Sequence, residues 1–364
     1  MTAGQSAVEV RPAGSRGLRW GPLSWLVPMR SGLVAAFGLV VLAVVVALNL
    51  ALGDFEVPVV KVVRILLTGE GESYQRVIVL DVRLPQTVVA IVVGAALGLS
   101  GALTQTFARN PLASPDILGV TEGAALGAVA FIIWTGAGRT DVTGLLGVLG
   151  LTGSAVVGAL AAAFLLFVLA WRRGIEGNRL VLIGIGLGAT LTAGTTWLLV
   201  TARLEYVATA QVWLTGSLSS RGWNEARPVI WTLLVLIPIT LILVRTLNVL
   251  QLGDDNARGL GVRLQSAQLV VLVCAVGLAA VAVSAVGLLE FVAFVVPQVA
   301  LRLAGGSRPP LVSSMIYGAV LVVSADLVTR TILPFGLPAG LVTTAIGGPY
   351  LIWLLLRGKR KVTV

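Results

Sequence analysis

The chain contains about ten separate runs of predominantly apolar residues, most of them close to the roughly twenty residues that a helix needs to cross a bilayer. Charged residues make up only 12% of the 364 residues. Because a soluble domain carries about 25% charged residues, most of this surface must face something other than water. The sequence therefore predicts an all-α polytopic membrane protein with about ten transmembrane helices. The runs cover residues 31–52, 85–107, 116–134, 144–170, 180–201, 229–247, 267–286, 288–303, 311–332 and 338–356.

The runs divide the chain into one membrane domain between two basic tails. We predict a cytoplasmic N-terminal tail at 1–30, a ten-helix domain at 31–356 and a basic cytoplasmic tail at 357–364. The first run is long enough to span, so we expect a retained helix rather than a cleaved signal. An even number of helices places both termini on one side. The positive-inside rule makes that side cytoplasmic, because most of the 26 Lys and Arg residues then lie there.

Several classes of protein are excluded by residues that the sequence lacks. Histidine is absent and Cys274 is the only cysteine, which excludes intrachain disulfides, Cys/His zinc sites and Cys–His or Ser–His catalytic pairs. No G-x-x-x-x-G-K-[ST] loop is present for ATP. We therefore expect no enzymatic activity, cofactor or metal in this chain. The net charge of +10 does not indicate nucleic acid, because the basic residues lie between apolar runs and form no patch with aromatic residues.

Two polar sites mark the predicted outer ends of helices. Arg83 precedes Leu84-Pro85 at the start of the second run, where we expect an exposed side chain that either contacts a partner or snorkels as an anchor. Asp326 and Arg330 are four residues apart near the outer end of the ninth run, a spacing that predicts an ion pair.

Two polar segments connect predicted helices on the cytoplasmic side. The segment 109–116, Arg-Asn-Pro-Leu-Ala-Ser-Pro-Asp, predicts a tight helix–helix connection, for which the residues alone favour a structural role. The segment 248–265 contains a polar island in which Asp254 or Asp255 can cap a short helix that ends at Gly259 or Gly261. We interpret it as a docking element for a cytoplasmic partner, with a solvated loop as the alternative.

A few polar residues lie where the chain is otherwise apolar. Glu290 and Gln298 flank Pro297 in the short eighth run, which predicts a broken or half-length helix, and Glu122 lies early in the third run. Ionisable residues at membrane depth face a cavity, a pore or a partner, although each could instead make an internal hydrogen bond. Together with Asn110, these residues are the candidates for lining a pathway.

A series of segments resembles the FecCD-type permease family of ATP-binding-cassette importers, which take up ferric siderophores, haem and cobalamin. The resemblance extends from about residue 31 to the C-terminus. Within the family the chain looks closest to the ferric-enterobactin-type second permease subunit, on residues 114–116, 170–175, 183–186 and 347–352. The family segments, in order, are 83–85, 93–102, 109–119, 213–218, 252–262, 325–327 and 337–343.

The resemblance implies a type II importer permease in the inner membrane of a bacterium. It implies a second permease subunit, expected to be a paralogue in a heterodimer, two ATPases that bind ATP-Mg, and an extracytoplasmic siderophore-binding protein. Arg83 and Arg330 match the arginines that meet the binding protein. The residues that match the family's coupling helices are Gly253, Asp254, Asp255, Ala257, Arg258, Leu260 and Gly261.

The chain also departs from the family pattern. Gln86 replaces a second arginine, which reduces the docking charge, and Glu290 replaces a small residue. Leu288, Gln298 and Leu301 stand where the family has Pro, His and Arg. The alternatives to a siderophore permease are a cobalamin or haem permease and a secondary transporter driven by an ion gradient. In the last of these, Glu122, Glu290 and Asp326 would act as ion relays.

Overall fold

The computed structural model describes residues 15–20, 23–53, 55–136, 144–171, 177–251, 253–333 and 337–358. Two short antiparallel strands, β1 (Ser15–Trp20) and β2 (Leu23–Pro28), precede the first helix. They lie within the region predicted as an N-terminal tail, and the hydropathy pattern did not predict them. The rest of the regular structure in the described ranges is helical.

The helices are numbered in chain order, and a π-helical turn at Val77–Arg83 leads directly into α4. Their bounds are α1 Met29–Ala51, α2 Val59–Thr68, α3 Ser73–Arg76, α4 Leu84–Ala108, α5 Val120–Thr135, α6 Gly144–Ala170, α7 Gly177–Thr201, α8 Leu204–Leu214, α9 Trp223–Ile242, α10 Val244–Leu250, α11 Asp254–Gly259, α12 Leu264–Val286, α13 Val292–Ala304, α14 Leu311–Thr331 and α15 Ala339–Gly358.

The prediction of about ten membrane helices is confirmed. Within the described residues, eight helical segments are long and apolar enough to span a bilayer, and α5 and α13 are shorter apolar helices. The eighth helix is short, as predicted: α13 has 13 residues. The break falls before the helix, where Phe291 has a left-handed backbone (φ 65), and Pro297 lies within it.

The second membrane helix differs from its prediction in where it begins. The run was expected to begin at residue 85, but the continuous helical segment begins at Ser73 and extends through the π-helical turn to Ala108. The preceding connection also contains α2, which buries Val62 and Ile65 and exposes Val60 and Leu67. A one-sided apolar surface of this kind suits a helix that lies along the bundle.

Helix α4 lies at the centre of the bundle and packs against α9, α12, α13 and α14. Its contact with α14 is made through glycine: a side chain at Gly94 would overlap the backbone of Gly318, and one at Gly98 would overlap the backbone of Ser314. Small residues allow membrane helices to approach this closely. We call the end where α4 begins the outer end, and the end where it finishes the inner end, after the predicted topology.

Candidate functional site

The side chain of Arg83 is buried at the outer end, with only 4% exposed. Its guanidinium donates hydrogen bonds to the carbonyl oxygens of Leu50 (2.9 Å), Ala51 (3.0 Å) and Phe55 (2.6 Å). The expectation of an exposed Arg83 is therefore wrong. Helix α1 ends at Ala51, and the last carbonyl groups of a helix have no donor within it, so a multidentate cation stabilises this end.

The predicted ion pair between Asp326 and Arg330 is confirmed, with 2.7 Å between Oδ2 and Nη2. The side chain of Asp326 is 3% exposed and that of Arg330 is 20% exposed. Asn49 donates from Nδ2 to Asp326 Oδ2 (3.0 Å), and Gln86 donates from Nε2 to Asp326 Oδ1 (2.8 Å). Arg330 also donates to Asn49 Oδ1, and the hydroxyl of Thr87 donates to the same oxygen (3.2 Å). We call these five residues the outer polar cluster.

The outer polar cluster gives two residues roles that the sequence did not indicate. Gln86 was interpreted as the loss of a docking charge, but its amide is a hydrogen-bond donor to the buried Asp326 carboxylate. Asn49 joins α1 to α14, and its only signal in the sequence was a polar residue inside an apolar run. A buried carboxylate is stable only when paired and hydrogen-bonded, and both oxygens of Asp326 meet that requirement here.

At the inner end, the connection between α4 and α5 is held by its own side chains. Arg109 ends α4 in a left-handed conformation (φ 50), and Asn110 Oδ1 accepts from the backbone N–H of Leu112 (2.9 Å). The Thr121 hydroxyl donates to Asp116 Oδ1 (2.8 Å). These short-range bonds agree with the structural role predicted for this segment, because Asn and Asp side chains stabilise turns and helix starts.

Asn110 and Gln298 line one cavity of about 330 Å³ at the inner end. Gln298 is 4% exposed and donates from Nε2 to Gln105 Oε1 (2.7 Å), and Gln105 in turn donates to the carbonyl oxygen of Phe294 (3.0 Å). Gln298 therefore both faces a cavity and makes an internal hydrogen bond. The sequence offered these as alternatives, and it did not indicate Gln105.

Glu122 and Glu290 line a second cavity, of about 390 Å³, together with Asp116. Glu290 is exposed, whereas Glu122 Oε2 is buried and has no hydrogen-bond partner among the described residues. The remaining wall is mainly apolar and includes Phe294 and Leu351. We call this space the acid-lined cavity. The sequence predicted Glu122 and Glu290 separately, and it indicated only a helix-start role for Asp116.

Electrostatics make the acid-lined cavity responsive to pH. In the connection before α5, burial raises the pKa of the Asp116 carboxyl to about 6; the hydrogen bond from Thr121 opposes the rise and the charge of Glu290 adds to it. Carboxylates that share one space disfavour each other's ionisation. Within the described residues, no group of three or more His, Cys, Asp or Glu side chains is arranged to hold a metal ion.

The predicted short helix in the polar island at 253–262 is present as α11, Asp254–Gly259. The helix already begins at Asp254, so its N-cap is Gly253 (φ 103). Neither Asp254 nor Asp255 occupies the cap position that was expected for one of them. Ala257 is fully buried and fixes the helix to the bundle, whereas Leu260 is 64% exposed. An anchored helix beside an exposed leucine is a surface that a protein partner could cover.

The fold and these sites define the class of the protein: an α-helical, multi-pass membrane protein with polar sites at both ends and cavities between its helices. Residues 41–357 match the model of the FecCD transport family, and the chain belongs to that family.

Two curated relatives cover most of the chain. The chain is 38% identical over 296 residues to the ferric enterobactin transport system permease protein FepG of Escherichia coli, covering 81% of this chain and 87% of the relative. It is 40% identical over 328 residues to the achromobactin transport system permease protein CbrC of Dickeya dadantii, covering 90% of this chain and 91% of the relative.

A solved structure has the same fold. It is described as an inward-facing conformation of a metal-chelate type ABC transporter, and it matches with a TM-score of 0.78 and 25% sequence identity. The match covers 90% of this chain and 99% of that chain. The expected type II importer architecture is therefore confirmed at the level of the whole membrane domain.

Proposed function

We propose that this chain is the transmembrane permease subunit of an ATP-binding-cassette importer that takes up a ferric siderophore. The observation that carries the proposal is the match of 41–357 to the FecCD family, together with relatives named as permeases for ferric enterobactin and achromobactin. The direct test is uptake of radiolabelled iron–siderophore complexes into proteoliposomes that contain the complete transporter. Uptake of cobalamin or haem with no uptake of any ferric siderophore would refute the assignment of the cargo.

We infer that the transporter also contains a second permease subunit, two ATPases and an extracytoplasmic binding protein. In this arrangement the inner end faces the cytoplasm, as the distribution of Lys and Arg favours. A single reporter cysteine at Leu260, in a Cys274→Ser background and in vesicles that lack the ATPases, should then react with a membrane-impermeant thiol reagent only when the vesicles are inside-out. Reaction in right-side-out vesicles would show that the inner end faces away from the cytoplasm, opposite to the predicted topology.

The exposed surface of α11 is our candidate for ATPase coupling. Ala257 holds the helix in place, and Leu260, with Arg258, remains exposed at the inner end. ATP hydrolysis in the partner would be transmitted through this contact to α10 and α12, which adjoin α11. Activity in the complete complex that survives deletion of 253–262 would remove the coupling role.

At the outer end, the structure favours Arg330 over Arg83 as a candidate for docking the binding protein. Arg330 is 20% exposed and is held by Asp326, whereas Arg83 is directed at the end of α1. An oriented, partly exposed guanidinium can meet a carboxylate of a partner bidentately. Arg330→Gln should weaken the affinity for the binding protein, and an unchanged affinity would reject this assignment.

The candidate pathway residues line two cavities that follow one another along α13. Phe294 of that helix lines the acid-lined cavity, and Gln298, one turn further on, lines the cavity of about 330 Å³ with Asn110. We infer that cargo passes these walls as the two permease subunits alternate access. Glu290→Gln should change the rate of uptake without changing binding-protein affinity.

The secondary-transporter hypothesis needs a relay through Glu122, Glu290 and Asp326. The first two share a cavity, but Asp326 lies in the outer polar cluster and is paired with Arg330. The structure therefore gives no continuous series of acids across the membrane domain in its described part. Uptake in vesicles that lack any ATPase would be the result that revives this hypothesis.

A further inference from the structure

A cavity of about 450 Å³ at the inner end takes no part in the sites described above. It lies between the start of α1, the α9–α10 junction and the turn that leads into α14. Its volume is within the range of small-molecule sites. Its apolar lining residues include Ala35, Leu241, Val244, Leu311 and Val312.

The position of this cavity is the boundary between the bilayer and water. Helices α1 and α14 begin here, at Met29 and Leu311, so the cavity spans the first turns of two membrane helices. The surrounding surface is apolar, since Leu33 is 67% exposed and Val312 is 50% exposed. The cavity is therefore open to molecules within the lipid layer.

The polar part of the cavity is positively charged. Arg308 is half-buried, and its Nε donates to Asn248 Oδ1, which orients the guanidinium and, among the described residues, leaves its two Nη groups for other acceptors. Burial lowers the pKa of Arg308, because the charge is removed from water. No carboxylate of the described residues lines the cavity to compensate that charge.

Two neighbouring features add to the positive potential. Arg30 donates from Nε to the carbonyl oxygen of Leu303, and its guanidinium lies beside Gly305, at the start of the same turn. Helix α14 begins at Leu311 after Pro310, which provides no side-chain cap. The unpaired N–H groups at the start of a long helix favour an anion.

We propose that this cavity binds an anionic phospholipid, with the phosphate at Arg308 and an acyl chain along the apolar wall. Arginine pairs with phosphate through parallel hydrogen bonds, and basic pockets between membrane helices are known settings for anionic head groups. The apolar wall distinguishes a lipid from a free phosphate ion. The two arginines disfavour a head group with a quaternary ammonium.

The test is lipid binding to the purified complete transporter, measured by native mass spectrometry with phosphatidylglycerol and phosphatidylcholine. Wild type should retain phosphatidylglycerol in preference to phosphatidylcholine. Arg308→Gln should bind phosphatidylglycerol about tenfold more weakly, a change of about 1.4 kcal/mol. Arg203→Gln is the matched control, because it removes the same charge from an exposed position at the outer end and should leave binding unchanged.

A second variant tests the acyl-chain part of the site without disturbing the fold. A side chain at Gly32 would enter open space, since no atom lies within 4 Å of a Cβ placed there. Gly32→Phe should therefore fill the cavity and reduce the binding of both lipids. Equal losses in Arg308→Gln and Arg203→Gln would overturn the proposal, as would equal retention of the two lipids by wild type. Displacement of the lipid by inorganic phosphate at equal concentration would show an anion site instead and would also overturn it.

Discussion

Replacing Arg83 with methionine should destabilise the protein rather than merely weaken the docking of a partner. Methionine keeps much of the side-chain volume but removes three hydrogen bonds to backbone carbonyl groups at the end of α1. Hydrogen bonds inside membrane proteins contribute about 0.6 kcal/mol each on average, with about 1.7 kcal/mol at the upper end. Because Arg83 is 4% exposed, solvent does not replace them. We expect a loss of roughly 2 to 5 kcal/mol in the free energy of unfolding.

The measurement is unfolding of the purified protein in mixed micelles by increasing fractions of SDS, followed by tryptophan fluorescence. Arg203→Met is the matched control, because Arg203 is an exposed arginine at the same end, and it should stay within about 0.5 kcal/mol of wild type. Arg83→Lys keeps the charge but cannot donate to all three carbonyl groups in the same geometry, so it should recover little stability. The reasoning is refuted if Arg83→Met unfolds like wild type while affinity for the binding protein falls.

Three further substitutions follow from the described contacts. Gly98→Ala should lower the free energy of unfolding by about 1–3 kcal/mol, because its Cβ would overlap the backbone of α14. The control Gly186→Ala places its Cβ where nothing lies within 4 Å and should not change stability. Unfolding in SDS measures both variants. Leu260→Glu should reduce substrate-stimulated ATPase activity of the complete transporter by more than tenfold, because it places a charge in an exposed apolar contact. Asp116 favours the folded state in its protonated form, so its contribution to stability should be fully present below pH 3.8 and be lost as the pH rises through about 6; Asp116→Asn should remove that part of the slope in a pH series of unfolding curves.

Each of these predictions has an outcome that contradicts it. Equal stability of the two alanine variants would mean that α4 and α14 are further apart than described. Wild-type levels of substrate-stimulated ATPase activity in Leu260→Glu would show that the ATPase contact does not lie at α11. A slope that is unchanged in Asp116→Asn would assign the pH dependence to another group.

The number of membrane helices and most of their positions could be predicted from the sequence, because hydropathy is a local property of the chain. The ion pair of Asp326 with Arg330 was also predictable, since its partners are four residues apart on one helix. The start of the second membrane helix at Ser73 was not predicted, because Arg76, Asp81 and Arg83 interrupt the apolar pattern without interrupting the helix.

Contacts between distant parts of the chain could not be predicted. Nothing local to Arg83 indicates that its guanidinium meets the end of α1, more than thirty residues earlier. In the same way, Glu290 shares a cavity with Asp116 only because α13 begins beside the connection before α5. The chemistry of each residue was visible in the sequence, whereas the partner of each residue was decided by tertiary packing.

The glycine contact between α4 and α14 determines where this protein can deform. Where the backbones of two helices touch, no side chain lies between them that could change rotamer. We therefore expect α4 and α14 to move together as one rigid unit. Such a unit can transmit a displacement from the inner end to the outer end, but it cannot open a pathway by bending. Within this chain, α7 and α15 are held less tightly, with 28% and 22% of their most apolar stretch buried against 83% for the segment Ser73–Ala108 that contains α4, so we expect opening to involve such helices.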